Sequence, residues 1–497
     1  MGVGQLAAGF VGEPASPVLA VGQTAIDASP EWLRSFAIRT FGASDKTVLV
    51  AGIIVVIAIA SAVLGVASLR RPWIGYAGLA VLGTIGVAAA LGRPGAGPSW
   101  ALPPLLATLA GAGAFATMRV AGRPRGDRRR RGHTALVAQA PTGFDRRRFL
   151  QAAITFGAAA VTSDRLGAYV NGRMLADASR AAVGIPRPAS PAPPLPPGAE
   201  LHVPGLSPFF TPNADFYRVD TTLFVPRIRV EDWKLRIHGM VDREIELDFE
   251  QLLARPLIER DITLNCVSNP VGGGYIGNAR WIGVPLNALL AEAGVHPGAS
   301  QIVSRSRDGM TIGTPTELAL DGRDSMLAIA MNGEPLPFEH GFPVRLLVPG
   351  LYGYESATKW LVDIELTTLT AFAAYWVQRG WAQVAPIQTM SRIDTPNAST
   401  HLRAGVVKVA GVAWAQHRGI SRVEVRVDDG PWNEATLSAQ DSIDTWRQWT
   451  WSWNAAPGPH LLAVRATDDA GAVQTGRWHA PFPSGATGWH QIAVTVS

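Results

Sequence analysis

The sequence predicts a chain of three parts: helices that cross a membrane, then an α+β domain, then an all-β sandwich. Three observations carry this. Long apolar runs crowd the N-terminal end; short, well-capped helices alternate with β-rich stretches after a proline-rich segment; and the C-terminal stretch holds short alternating strands between turn clusters. The boundaries fall at residues 1–148, 149–200, 201–385 and 386–497, the second segment being a connector.

Thr47–Leu69 is almost free of polar groups, and Trp73–Leu91 and Trp100–Met118 follow at similar length, each enough to span a bilayer as a helix. Gly4–Phe10 looks like the tail of another apolar segment, so an upstream span is expected. Overall the chain is 47% hydrophobic and 17% charged, more apolar than ordinary soluble proteins, and its formal charge is +5. That charge is local: Arg119–Arg148 holds ten arginines against two aspartates, which leaves the remainder slightly acidic. An acidic outer part has no electrostatic footprint for nucleic acid. The arginines beside the spans read instead as a topology signal, placing Arg119–Arg131 and Arg70-Arg71 in the cytoplasm and Gly92–Ser99 outside.

Asp145-Arg146-Arg147-Arg148-Phe149-Leu150-Gln151 leads into a short apolar run, Phe149–Ser163. It resembles a twin-arginine export motif, the route of domains folded around a cofactor before export; the other reading is a basic anchor before a fourth helix. Either way the chain is expected to be a multi-pass membrane protein with the downstream part on the extracytoplasmic side. Prolines between Ile185 and Pro197 predict a stiff, extended linker, with order resuming near Leu201.

In the α+β region Trp233–Ile237 and Ile262–Leu264 read as strands. Asp248 caps a helix over Phe249–Ala254, with Gln251 completing a capping box and Pro256 ending it. A second helix opens at Pro285, carries Leu286, Leu289, Leu290 and Ala293 on one face, and closes at Gly294. Beyond Ala385, Val406–Ala415, Val423–Val427, Trp446–Trp453 and Leu461–Ala466 alternate as strands around turns such as Asp428-Asp429-Gly430-Pro431, the pattern of an immunoglobulin-like β-sandwich. Trp449, Trp451 and Trp453 share one face of a strand and are read as core rather than as a carbohydrate-stacking ladder.

Gly272-Gly273-Gly274-Tyr275-Ile276-Gly277 matches the dinucleotide pattern, with Glu292 twenty residues past Gly272, but Asn278–Val284 intervenes before the helix. A dinucleotide turn passes straight from strand to helix at the glycines, so that reading is rejected. Just upstream, Thr263-Leu264-Asn265-Cys266-Val267-Ser268-Asn269 contains the single cysteine of 497 residues. One cysteine forms no disulfide, iron–sulfur cluster or four-cysteine zinc site within the chain; it is either an inert buried thiol or one ligand of a metal whose other sulfurs arrive with a cofactor.

This segment resembles the Thr-Leu-x-Cys-x-x-Asn of the sulfite oxidase family of molybdenum–pterin enzymes. The resemblance continues through Asn332-Gly333-Glu334-Pro335-Leu336-Pro337, His340-Gly341-Phe342-Pro343-Val344-Arg345, Val348-Pro349-Gly350, Ala357-Thr358-Lys359-Trp360 and, in the sandwich, Gly411-Val412-Ala413-Trp414, covering the chain from about Phe209 onward. It implies Cys266 as the thiolate ligand of molybdenum, and His340, Arg345, Ala357, Thr358 and Lys359 as contacts of the pterin, with Phe216-Tyr217-Arg218 and Asp308 in further pterin-contacting positions. The alternative for His340 and Arg345 is a solvated turn pair.

Arg418 falls beside the family position from which a sandwich arginine reaches the oxyanion pocket, His417 being its competitor; Arg218 is a second candidate for steering substrate. Trp381 aligns with the catalytic tyrosine of sulfite oxidases, and an indole is no phenolic acid. The resemblance therefore implies oxygen-atom transfer on a small oxo-anion, or the reverse reaction on a sulfoxide-type substrate, and a homodimer through the sandwich. A catalytically silent binding protein is the alternative from another class. Without C-x-x-C-H, and with no histidine in Thr47–Met118, no haem is expected within the chain, so a separate electron carrier is implied.

Overall fold

The computed structural model describes residues 2–11, 15–30, 45–69, 71–93, 96–121 and 173–497 apart from 224 and 399, with isolated positions in between. The arginine-rich run from 123 to 148, the twin-arginine-like motif and most of the Phe149–Ser163 segment lie outside the described residues. The chain divides into two compact units, one comprising 1–175 with 221–224 and the other 176–220 with 225–497.

In the first unit, α1 (Gly2–Val11) and α2 (Pro17–Ala28) precede α3 (Asp45–Ser68), α4 (Pro72–Leu91) and α5 (Leu102–Ala121). Three helical stretches, Val48–Ser68, Pro72–Leu91 and Pro98–Val120, are long and apolar enough to cross a membrane. At about 1.5 Å per residue, twenty residues cover the ~30 Å hydrocarbon layer. Their outward side chains, such as Val56, Val63 and Leu109, are apolar and exposed, as lipid contact requires. Helix α2 escapes the sequence pattern, although Pro17 sits at its first turn, the position proline favours.

The second unit opens within α6 (Arg173–Ala181), from Ala176 on, followed by β1 (Lys234–Gly239), β2 (Ile245–Asp248), α7 (Phe249–Leu253), β3 (Ile258–Asn265), β4 (Ile276–Pro285), α8 (Leu286–Ala293), β5 (Gln301–Ser306), β6 (Thr311–Pro315), α9 (Thr316–Ala319), β7 (Met326–Met331), β8 (Glu334–Pro335), β9 (Arg345–Leu347), α10 (Gly353–Ser356) and β10 (Leu361–Thr367). They make two sheets, ordered β2-β1-β10-β5-β6 and β3-β4-β7-β8, with β9 on β7. Strand β7, Met-Leu-Ala-Ile-Ala-Met, is buried along its whole length because both faces meet core. One core lies between the sheets, around Ile237, Ile302, Leu327 and Ile364 with the apolar stripe of α8, and another, around Phe216, Trp281 and Phe342, packs beside β3, β4 and β7.

The local signals acted as expected. Asp248 accepts from the Gln251 amide while Gln251 accepts from the Asp248 amide, and Gly294 ends α8 in the left-handed conformation (φ 70°). Helix α8 starts at Leu286, directly after Pro285. Order begins earlier than the expected position near Leu201. Residues 183–200 form no helix and end in a turn at Gly198 (φ 81°), and they are docked: Ala189 and Ser190 donate to the Leu257 carbonyl, Glu259 donates to Ser190, and Ala199 is fully buried.

From Met390 onward the chain forms β11 (Met390–Thr395), β12 (His401–Leu402), β13 (Gly405–Trp414), β14 (Ile420–Val427), β15 (Trp432–Glu434), β16 (Thr436–Leu437), β17 (Arg447–Ala455), β18 (Gly458–Asp468) and β19 (His490–Val496). Two sheets, β11-β13-β17-β16 and β12-β19-β18-β14-β15, enclose one apolar core built from Val409, Trp449 and Trp453 on one side and Val423, Val464 and Ile492 on the other. Trp451 packs against that core, so the period-two tryptophans are core side chains, as read. Strands β11 and β19 escape the sequence pattern; β11 is short and polar at alternate positions, and β19 follows a long irregular stretch.

Candidate active site

Strand β3 delivers Cys266 one residue past its end. The Cys266 amide donates to the Tyr275 carbonyl at 2.9 Å and its carbonyl accepts from Asn269 at 3.0 Å, closing the glycine-rich loop at its base. Asn269 Oδ1 also accepts from the Tyr275 amide at 2.9 Å, so the loop is a braced turn leading into β4. The cysteine is 9% exposed, and burial pushes the thiol pKa up, against the lowering effects of Ser268 and of the Lys359 charge. The net effect of burial is to hold the sulfur as the thiol in the absence of a metal.

A cleft of about 520 Å³ is lined by Phe216, Arg218, Asn213, Arg180, Phe338 and His340, among others. His340 is buried, and its Nε2 faces the Asn213 carbonyl at 3.1 Å, which makes Nε2 the protonated nitrogen. Burial, followed by the Arg345 charge, drives its pKa down to about 4, so the ring is neutral at ordinary pH. The Phe216 ring meets it edge-on at 5.5 Å. Arg345 is also buried; it donates to the His340 carbonyl at 3.3 Å and lies 5.4 Å over Trp281, yet its Nε has no partner among the described residues. Burial lowers its pKa to about 10, which still leaves a cation. These two side chains are interior, so the solvated-turn alternative is excluded.

Lys359 Nζ binds Asp220 at 2.9 Å and the Glu339 carbonyl at 3.3 Å. Burial brings its pKa down to about 8, with Asp220 opposing the shift and the Arg345 charge adding to it. Arg218 Nε shares the same carboxylate at 2.7 Å. Two cations therefore share one aspartate, and a third stands close enough to be felt. Gly341 makes this convergence possible: its φ is +111°, and a Cβ there would stand 3.0 Å from Lys359 Cα and 3.3 Å from Arg345 Cβ. Ala357 and Thr358 are buried between α10 and β9, where Thr358 hydrogen-bonds the Ser304 hydroxyl and its carbonyl accepts from Leu346.

Tyr217 stacks on Phe216, a residue of the cleft wall. Its hydroxyl is buried, and its pKa is raised by that burial and by Cys266 while Arg345 opposes, so the three groups act on one another. Tyr352 is likewise raised, to about 12, by burial, with Cys266 and Arg418 among the charges it feels. Reading the sequence residue by residue misses Tyr352, Tyr354 and Glu355, although they lie between two of the family-like motifs. The Glu355 carboxyl accepts from the Ala385 amide at 3.0 Å, leaves Oε1 without a partner among the described residues, and is lifted to about 8 by burial.

Other candidates are placed apart from the cleft. Asp308 turns onto its own hairpin, accepting from Ser306 Oγ at 2.5 Å and the Met310 amide at 3.2 Å. Arg418 binds Asp468 at 3.1 Å, the Ile387 carbonyl at 2.8 Å and Thr389 at 3.1 Å, and its charge opposes the upward shift of Tyr352. His417 faces Asp444 at 3.3 Å. Trp381 is buried against Tyr354, Trp376 and Phe482, its indole N–H unpartnered among the described residues.

Whether these residues fit an anionic pterin is a question of charge and room. A buried guanidinium with an orphaned Nε and no carboxylate on it among the described residues, next to an ammonium and a neutral imidazole, matches a phosphate-bearing ligand, and the cleft has the volume for one. Comparison with known proteins agrees. Residues 222–376 match the family described as oxidoreductase molybdopterin binding domain. Rat mitochondrial sulfite oxidase is 27% identical over 341 residues, 58% of this chain and 62% of its own, so the chain spans about three fifths of that relative. An uncharacterized oxidoreductase of Bacillus subtilis, YuiH, is 36% identical over 149 residues, 30% of this chain and 72% of its own. Among solved structures, the sulfane dehydrogenase SoxCD of Paracoccus pantotrophus aligns with a TM-score of 0.52 at 26% identity, over 58% of this chain and 81% of that one. The ordered motifs around a lone buried cysteine, the buried cations Arg345 and Lys359 and these likenesses have one common source: the chain belongs to the sulfite oxidase family of molybdopterin oxidoreductases.

Proposed function

We propose that this protein is a membrane-anchored, extracytoplasmic oxidoreductase that transfers an oxygen atom to or from a small anionic or polar oxo-substrate, with Cys266 as the protein thiolate on molybdenum. The observation that supports it most is the presence, in one domain, of a buried cysteine and a buried cation, Arg345, which holds the carbonyl of the cleft residue His340 and has no counter-charge among the described residues. The bound molybdenum–pterin would supply the two-electron oxygen-atom exchange. Arg345, Lys359 and Arg218 would hold its anionic group, with His340, neutral and fixed by the Asn213 carbonyl, orienting its edge. Tyr217 and Tyr352 hold their phenolic protons up to high pH and can donate hydrogen bonds next to Cys266. The domain beyond residue 386 would serve as an immunoglobulin-like dimerisation module, and Arg418 would steer substrate from its edge.

A separate carrier would take or supply electrons. The buried indole of Trp381, where sulfite oxidases carry a phenol, favours reduction of sulfoxide-type compounds as the second reading. The test is molybdenum per chain in protein made where the pterin is synthesised. About one equivalent in the wild type, with loss or an altered metal spectrum in Cys266→Ser, is expected; a folded wild type without molybdenum overturns the reading and leaves a binding protein. Assays with sulfite and with methionine sulfoxide then assign the direction.

A further inference from the structure

The cleft has one wall that belongs to neither sheet. Helix α6 contributes Asp177 and Arg180 to the lining, together with Phe216, Arg218 and His340 from elsewhere in the domain. No strand pairing secures it. Arg180 donates through Nε to the Leu336 carbonyl at 2.8 Å and through Nη2 to the Pro335 carbonyl at 2.6 Å and Glu334 at 3.1 Å. Arg227, stacked 4.8 Å over Phe338, grips Asp177 at 2.5 Å. Ser179 bonds Glu231 at 3.1 Å and accepts from the Val230 amide at 3.0 Å, and Ala176 is fully buried in the cluster that holds Phe216 and Phe338.

A helix of nine residues is too short to persist alone in water, so α6 forms by docking. Its docked and undocked states then differ in whether the cleft has this wall. The carbonyls that Arg180 holds belong to residues 335 and 336, on the stretch that continues into Phe338–His340. Docking therefore also braces the loop carrying His340.

We propose that α6 is a strap that closes the cofactor cleft after the pterin has entered, with Arg180 and Asp177 as the positioning residues that hold it shut. This rests on the reading of the cleft as a pterin site. Residues 176–182, which a chain truncated to begin at Leu201 lacks, are then needed to retain cofactor even though they lie outside the domain as read from sequence. An order of events follows: the pterin enters while α6 is free, and the strap docks afterwards.

The experiment uses the full-length chain in detergent, loaded with pterin in the producing host. Pterin release is followed by fluorescence and by molybdenum retained per chain, for wild type, Arg180→Ala and Arg236→Ala, the last removing an exposed pair with Glu244 away from the cleft. Release from Arg180→Ala is expected to be about tenfold faster, the loss of one charge-assisted bond set, and from Arg236→Ala unchanged. Amide exchange over 176–182 is expected to be slower in loaded than in pterin-free wild type, a readout that stands if Arg180→Ala does not fold. Equal release from a folded Arg180→Ala, or equal exchange with and without pterin, overturns the strap alone. A wild type that never carries pterin overturns the reading of the cleft, and the strap with it.

Discussion

Two arginines of the second unit are treated in opposite ways. Arg418, in the sandwich, is neutralised by Asp468 and adds bonds to Ile387 and Thr389. Arg345, buried against the cleft residue His340, has a carbonyl and the face of an indole but no carboxylate among the described residues, and its Nε is unsatisfied. Burying a charge costs several kcal/mol unless it is paired, so the sandwich arginine stabilises the fold while Arg345 is held inside at the fold's expense. The difference marks where a ligand belongs, because an anion that reaches Arg345 completes a pairing the protein leaves open.

The sharpest way to break this comparison is Arg345→Met. Cofactor affinity should fall about a hundredfold, since a charge-assisted contact contributes roughly 2–3 kcal/mol, while the cofactor-free protein becomes about 1 kcal/mol more stable. Pterin content and the thermal midpoint of the apoprotein check both halves; an apoprotein that loses stability refutes the contrast. Arg418→Met should do the reverse. Asp468 is 1% exposed and its carboxylate would keep only Thr389 and the Ala472 amide, so about 2 kcal/mol of stability should be lost with cofactor content unchanged. Denaturant unfolding measures it.

A smaller effect sharpens the picture at the junction between the sandwich and β3. Asp441 is raised to about 6 by burial and then by Asp261, with Arg280 opposing. Its folded pKa lies above its unfolded one, so the folded state binds the extra proton. Its contribution to stability is therefore full below about pH 4 and declines as pH rises through 6. Asp441→Asn removes that decline. Because the group is half exposed, the gain at pH 7.5 should be about 1 kcal/mol, vanishing near pH 4. A thermal midpoint difference that does not change with pH would rule this out.

How much of this was legible before folding varies with range. Asp248 with Gln251, and Leu286 to Gly294, announce their helices because capping bonds and apolar spacing are set within a few residues. Trp449, Trp451 and Trp453 announce a buried strand face for the same reason. Cys266, His340, Arg345 and Lys359 were legible as motifs, but whether they lay inside or on a solvated turn was not, since burial depends on what packs over them. Asp308 faces its own hairpin rather than the cleft because its nearest donors, Ser306 and Met310, occupy it locally.

The order of residues alone settled the apolar spans, the short-range helices and strands, and the family, because periodicity, capping and ordered motifs are properties of neighbouring residues. Folding in three dimensions decided that Arg345 lacks a carboxylate partner among the described residues, that Arg418 is spent on Asp468, that Phe216 meets His340 across the cleft wall, and that α6 walls that cleft. Each of those depends on contacts between residues far apart in the chain, and desolvation and charge pairing act through space rather than along the backbone.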